Sequence, residues 1–209
     1  MAAASQASLR TRSAHFARRL ARPGFEVTSV AALASLLAAW FYRVDLMSVR
    51  VPISYRGDAL VNQSAIKSIV EQGWWLTNDR LGAPFGQIHY DFPFGGENLH
   101  FLVLKAMGLF STDSGLLINI YYLVGFPLVA AVTFLVCRHL RFSYGISAAV
   151  SMLYTFLPYH FWHGQDHLTR SAYVGAPLIV LLVLWTMAGP AEFRTSGEPG
   201  RWNRRRLAA

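Results

Sequence analysis

The chain has 209 residues, of which 54% are hydrophobic and only 14% charged, and its mean hydropathy is +0.32. That balance lies on the membrane side of ordinary globular usage and excludes a second water-soluble domain. The formal net charge of +8 does not point to nucleic acid, because the basic residues gather in blocks at the two ends instead of on one folded face.

Residues 1–25 hold Arg10, Arg12, Arg18, Arg19 and Arg22 and no acid. Such a tail stays on the cytoplasmic side by the positive-inside rule. A mitochondrial presequence, also rich in Ala, Ser and Arg, is the competing reading of the same residues. Residues 27–42 then open a series of four uncharged apolar stretches, followed by 115–137, 142–159 and 171–191. Stretches of this kind are read as membrane spans. The predicted architecture is therefore all-α: a polytopic helical membrane domain over residues 26–191, with four transmembrane helices and basic tails at 1–25 and 192–209. Trp40, Phe41 and Tyr42 close the first span where a secretory signal would need small residues, and suit the headgroup level instead.

The loop over residues 47–114 is too long for a simple connector. It mixes Arg50, Arg56, Lys67, Arg80 and Lys105 with Asp58, Glu71, Asp79, Asp91, Glu97 and Asp113, unlike the basic link Arg138-His-Leu-Arg141 between the second and third spans. Together with Arg194, Arg201, Arg204, Arg205 and Arg206 near the C-terminus, this alternation places both tails and that link inside and the long loop outside. Residues 59–72 predict a helix with Asp58 as N-cap and Leu60, Ile66, Ile69 and Val70 near one face, ended by Gly73. Residues 78–86 read as turns, and residues 98–110 as a second interfacial helix.

Candidate chemistry concentrates in three places. Tyr55-Arg-Gly-Asp-Ala-Leu60 sets Asp58 just beyond the first span. There it can act as general base, hold a divalent cation, or serve only as a cap, and the local residues leave all three open. His89-Tyr-Asp-Phe-Pro-Phe-Gly-Gly-Glu-Asn-Leu-His100 joins imidazole, carboxylate and aromatic groups of the kind that suit hydroxyl-rich ligands, with Asp91 its better candidate and Glu97 suited to a helix N-terminus. Pro158-Tyr-His-Phe-Trp-His-Gly-Gln-Asp-His-Leu-Thr-Arg170 carries His160, His163 and His167 at helical spacing, with Asp166 and Arg170 beside them. Three such histidines can bind zinc, but the Glu of an H-E-x-x-H site and any cysteine ligand are missing, so they read mainly as hydrogen-bond partners. Arg170 suits either a lipid-linked phosphate or a headgroup anchor. Cys137, the single cysteine, allows no internal disulfide.

The order of these features resembles the N-terminal part of GT-C-fold glycosyltransferases. The phrases Tyr55-Arg-Gly-Asp-Ala-Leu60, Asn78-Asp-Arg-Leu-Gly-Ala-Pro-Phe-Gly86 and Pro158-Tyr-His-Phe-Trp-His-Gly-Gln-Asp-His167 are similar to those of large bacterial integral-membrane proteins of that type. The resemblance implies a polyprenyl-phosphate-linked sugar donor used on the outer face of a bacterial inner membrane, with inversion at the anomeric carbon. It gives Asp58 the role of base or metal contact, and sets Arg56, Lys105 and Arg170 near the lipid phosphate. Membrane lipid and a lipid-linked donor are the implied partners; the cofactor stays open, a divalent cation included. Such enzymes usually have many more spans, so a truncated product is expected here. The alternative is a non-catalytic membrane subunit, scaffold or remnant. A transporter fits less well, because no span holds an internal charge.

Overall fold

In the computed structural model residues 24–92 and 97–188 are described. Most of both basic tails, residues 93–96 and the end of the fourth apolar stretch lie outside them. In chain order the elements are α1 (Gly24–Phe41), α2 (Asp58–Gln72), β1 (Thr77–Asn78), β2 (Gln87–Ile88), α3 (Asn98–Met107), α4 (Ser114–His139), α5 (Tyr144–Thr155), α6 (Pro158–His163), α7 (Leu168–Ser171) and α8 (Ala176–Ala188).

Among the described residues three helical segments are long and apolar enough to cross a membrane: α1, α4, and Leu168–Met187, which runs from α7 through a 3-10 turn into α8. Every fourth residue of α1 from Val30, through Ala34 to Ala38, is buried, and the first two pack against Ala130 and Phe134 of α4. Alanines at such a contact let two backbones approach closely, which matters where lipid is as apolar as the helices themselves. The two helices are antiparallel. Glu26 meets Arg138 at 3.3 Å at one end, and the Tyr42 and Tyr122 hydroxyls meet at 2.7 Å at the other.

The third apolar stretch does not form one long helix. It yields α5, of 12 residues, about 18 Å long at 1.5 Å per residue, which is short of a hydrocarbon core of about 30 Å. Pro158 is the reason. A proline disfavours helical geometry in the residue before it, and Leu157 is extended at φ −58° and ψ 144°. The break strands carbonyls of the last turn of α5 in apolar surroundings, where each needs a partner. The Tyr173 hydroxyl donates to the Tyr154 and Thr155 carbonyls at 2.9 and 3.0 Å, and His160 Nδ1 lies 3.2 Å from the Thr155 carbonyl.

Within the long loop, α2 is stopped by the left-handed Gly73, as its sequence predicts, but it starts at Asp58, one residue early, and Asp58 is not its cap. Gly57 takes that position and no side chain bonds the free N–H groups, because Asp58 has already turned into the first helical residue. The buried face also differs from the predicted apolar one: Asn62, Ala65, Ile66, Ser68 and Ile69 are inside and Leu60 is exposed. Thus α2 is an internal strut against α3 and α4. Residues 79–86 close an antiparallel hairpin, Thr77 opposite Ile88. Buried Asn78 ties it to α2, donating to Ser68 Oγ at 3.3 Å and to Glu71 Oε2 at 3.1 Å. The Lys67 ammonium beside Glu71 holds that carboxyl below its ordinary range.

The loop leaves α1 and passes across the start of α4 at Gly115, where a Cβ would collide with the Arg50 carbonyl oxygen. Only glycine admits that crossing. Gly115→Ala should therefore lower the unfolding midpoint of the detergent-purified protein by an amount matching roughly 2 kcal/mol, as overpacking typically does. Gly125→Ala, whose Cβ would make an ordinary 3.5 Å contact with His160, should move it far less; size-exclusion profiles after graded heating compare the two.

Candidate functional site at the junction of two loops

Asn119 sits in α4, in a run with no charged group, and is 1% exposed. Both its amide hydrogens are used, donated to the Val49 and Val51 carbonyls at 2.8 and 2.7 Å. Its oxygen accepts from the Ile53 N–H at 3.1 Å and from Gln165 Nε2 at 2.8 Å, which fills both lone pairs. Gln165 in turn accepts from the Ser54 N–H at 2.9 Å. Asn62 of α2 donates to the Gln165 and Asp166 carbonyls at 3.0 and 3.1 Å. Three buried amides thus clamp residues 49–54, the first turns of α2, and the segment between α6 and α7 into one unit.

On that clamp the charged side chains gather. Ser54 Oγ donates to Asp166 Oδ1 at 2.8 Å, and Arg56 Nε approaches Asp166 Oδ2 at 3.8 Å. Asp58 Oδ2 lies 3.6 Å from His167 Nδ1. His163 stacks on Tyr159 with ring centroids 4.1 Å apart, places Nδ1 3.2 Å from the Tyr159 carbonyl, and stands 5.3 Å from the His167 ring. Arg56, Asp58, His163, Asp166 and His167, five of the predicted site residues from segments far apart in sequence, therefore meet at one surface.

Exposed ion pairs of this length contribute about 0–1 kcal/mol, so the cluster does little to hold the fold. Asp166 is committed to Ser54 and Arg56. Asp58 accepts no hydrogen bond among the described residues and is 66% exposed, which leaves its carboxylate open to an incoming hydroxyl. Among the described residues no three His, Cys, Asp or Glu side chains converge on a point that a metal ion would fill.

The other predicted residues stand apart from the cluster. Asp91 is exposed and makes no hydrogen bond or ion pair among the described residues. Lys105 lies in the last turn of α3 with its ammonium 5.7 Å over the Trp74 ring. Arg170, on α7, is exposed and forms no ion pair among the described residues. Glu97, expected to complement the N-terminus of α3, makes no capping bond there and accepts instead from Thr169 Oγ1 at 3.0 Å.

His160 separates from His163 and His167. It is fully buried, stacked on Phe126 at 3.9 Å with the rings 8° from parallel. No family model, curated protein or solved structure matches the chain.

Sequence reasoning missed Asn119, Gln165, Asn62 and Ser54. Only Asn119 left a signal, as an amide in an otherwise apolar run, where a polar side chain needs a partner. Asn119→Leu keeps the volume but strands two carbonyls, an N–H and the Gln165 amide, and should cost about 3 kcal/mol or more, since each buried unsatisfied group costs roughly 1–3 kcal/mol; thermal unfolding in detergent reads it.

Proposed function

We propose that the chain forms the N-terminal membrane part of a GT-C-type glycosyltransferase that moves a sugar from a polyprenyl-phosphate donor to an acceptor hydroxyl on the outer face of a bacterial inner membrane. One observation carries the reading: Asp58 is free of helix capping and stands beside His167 at the junction of two loops on one side of the molecule.

In this reading the membrane is crossed four times, with both tails in the cytoplasm. Supporting it, Tyr144 at the start of α5 meets Ser29 at 3.2 Å near the Glu26–Arg138 end, while Gln165 meets Asn119 near the other end of α4. The third crossing is then α5 together with its broken continuation through α6.

Asp58 takes the proton of the acceptor hydroxyl as the oxygen attacks the anomeric carbon. The bond from that carbon to the phosphate oxygen breaks on the opposite side, and the electron pair leaves with the lipid phosphate. His167 positions the Asp58 carboxylate; Arg56, with Arg170 and Lys105 farther off, supplies positive charge toward the leaving phosphate. Holding the two reactants in line and matching the developing charge are where such residues lower the barrier.

Asp58→Asn should reduce transfer by at least about 100-fold, the lower range for loss of a general base, and His167→Ala should reduce it less, both with unchanged unfolding midpoints because neither side chain is buried. A lipid-linked-sugar transfer assay in proteoliposomes, using the longest native form of the protein, measures this. Unchanged transfer by Asp58→Asn would favour a non-catalytic membrane subunit instead.

A further inference from the structure

Helix α3 is apolar on two sides. Phe101 and Leu104 are buried in the core. Leu99, Leu102, Val103 and Ala106 point outward and are exposed. Their spacing of three, four and seven residues makes one continuous stripe along the helix. Leu109 and Phe110 prolong it at 82% and 91% exposure. A helix with apolar groups on both sides and Lys105 as its one full charge is not a water-facing helix, and a contiguous patch of this kind needs a cover.

The chain itself says what the cover is. Phe110 precedes by four residues the first residue of α4, a helix long and apolar enough to cross a membrane, so the stripe ends where the chain meets the hydrocarbon boundary. Lys105 stands at its flank with the ammonium over Trp74. An ammonium and an indole side by side are suited to the headgroup layer.

We infer that α3 and residues 109–110 lie in the outer-loop leaflet of the bilayer, with Leu99, Leu102, Val103, Ala106 and Phe110 among acyl chains and Lys105 at the lipid phosphates. The partner is a lipid surface, and α3, not α2, is the element that engages it. This seat has a consequence for the polar cluster. Gly108, just past α3, lies against α2 so closely that a Cβ there would come within 3.0 Å of Val70 Cγ1. From that contact α2 leads back to Asp58 at its far end; its 15 residues span about 22 Å. The depth of α3 therefore sets the height of Asp58 relative to the lipid phosphates. The inference stands on the membrane character of the chain and needs no sugar chemistry.

Spin-label depth measurements on the full chain in phosphatidylcholine–phosphatidylglycerol vesicles test it. The native thiol Cys137 is buried, so Cys137→Ala serves as background for Leu102→Cys, Ala106→Cys and Phe110→Cys, with the exposed Asp79→Cys as the aqueous reference. Expected is an oxygen-to-nickel-chelate accessibility ratio at positions 102, 106 and 110 at least several-fold above that at 79, placing the labels roughly 5–10 Å into the headgroup–acyl boundary. A ratio at 102 and 106 equal to that at 79 overturns the inference. So does low accessibility to both reagents, which means that protein covers the stripe. Bimane at the same positions, quenched by brominated lipid, gives the same reading should the nitroxide disturb the helix. Neither measurement depends on transfer activity, so its failure is distinct from a failure of the Asp58 reading.

Discussion

A single amide, Asn119, decides where the loop between α1 and α4 stands. In a helix meant for a hydrocarbon environment, a side chain with two donors and two acceptor sites must find four partners or pay heavily for their absence. Asn119 finds all four, three on the backbone of residues 49–53 and one on Gln165. The loop after α1 is thereby drawn against α4, and Gly115 supplies the gap through which the Arg50 carbonyl passes. Everything that follows in the loop, α2 and Asp58 included, inherits its position from those bonds.

The second determinant is a break. Pro158 stops α5 after 12 residues, and the chain between α5 and α8 then folds as short helices instead of continuing as one rod. Free carbonyls inside an apolar layer are tolerated only where protein groups reach them. Tyr173 and His160 do so here, and Phe126 holds the imidazole by stacking. The break is what turns His163, Asp166 and His167 toward the loop between α1 and α4. An uninterrupted span would have carried them away from Asp58 along a straight axis.

Hydropathy made most of the helical content legible, because uncharged runs of this length have few other uses; α1, α4 and the final span lie where the composition puts them. The limits of α2 were legible too, since Gly73 adopts the left-handed conformation that ends a helix. What the residues hid was burial. Leu60 is a better apolar candidate than Asn62 by any hydropathy scale, yet Asn62 is inside, because its amide has carbonyls of a distant segment to bond. For the same reason Gln165 passed unnoticed among the histidines, although its amide bonds both Asn119 and the Ser54 N–H. The gathering of Arg56, Asp58, Asp166 and His167 was visible only as separate polar concentrations, as pairing across more than one hundred residues leaves no periodic trace.

The bonding pattern of Asn119 also orders events at the ribosome. Val49, Val51 and Ile53 have already been made when α4 emerges, so the amide can satisfy three of its four valences with a hairpin of α1 and α4 alone. The fourth waits for Gln165, forty-six residues later. A nascent chain halted before that point holds the loop after α1 docked but the carboxylate–imidazole pair unmade. Maturation of the surface thus waits for the segment between α6 and α7.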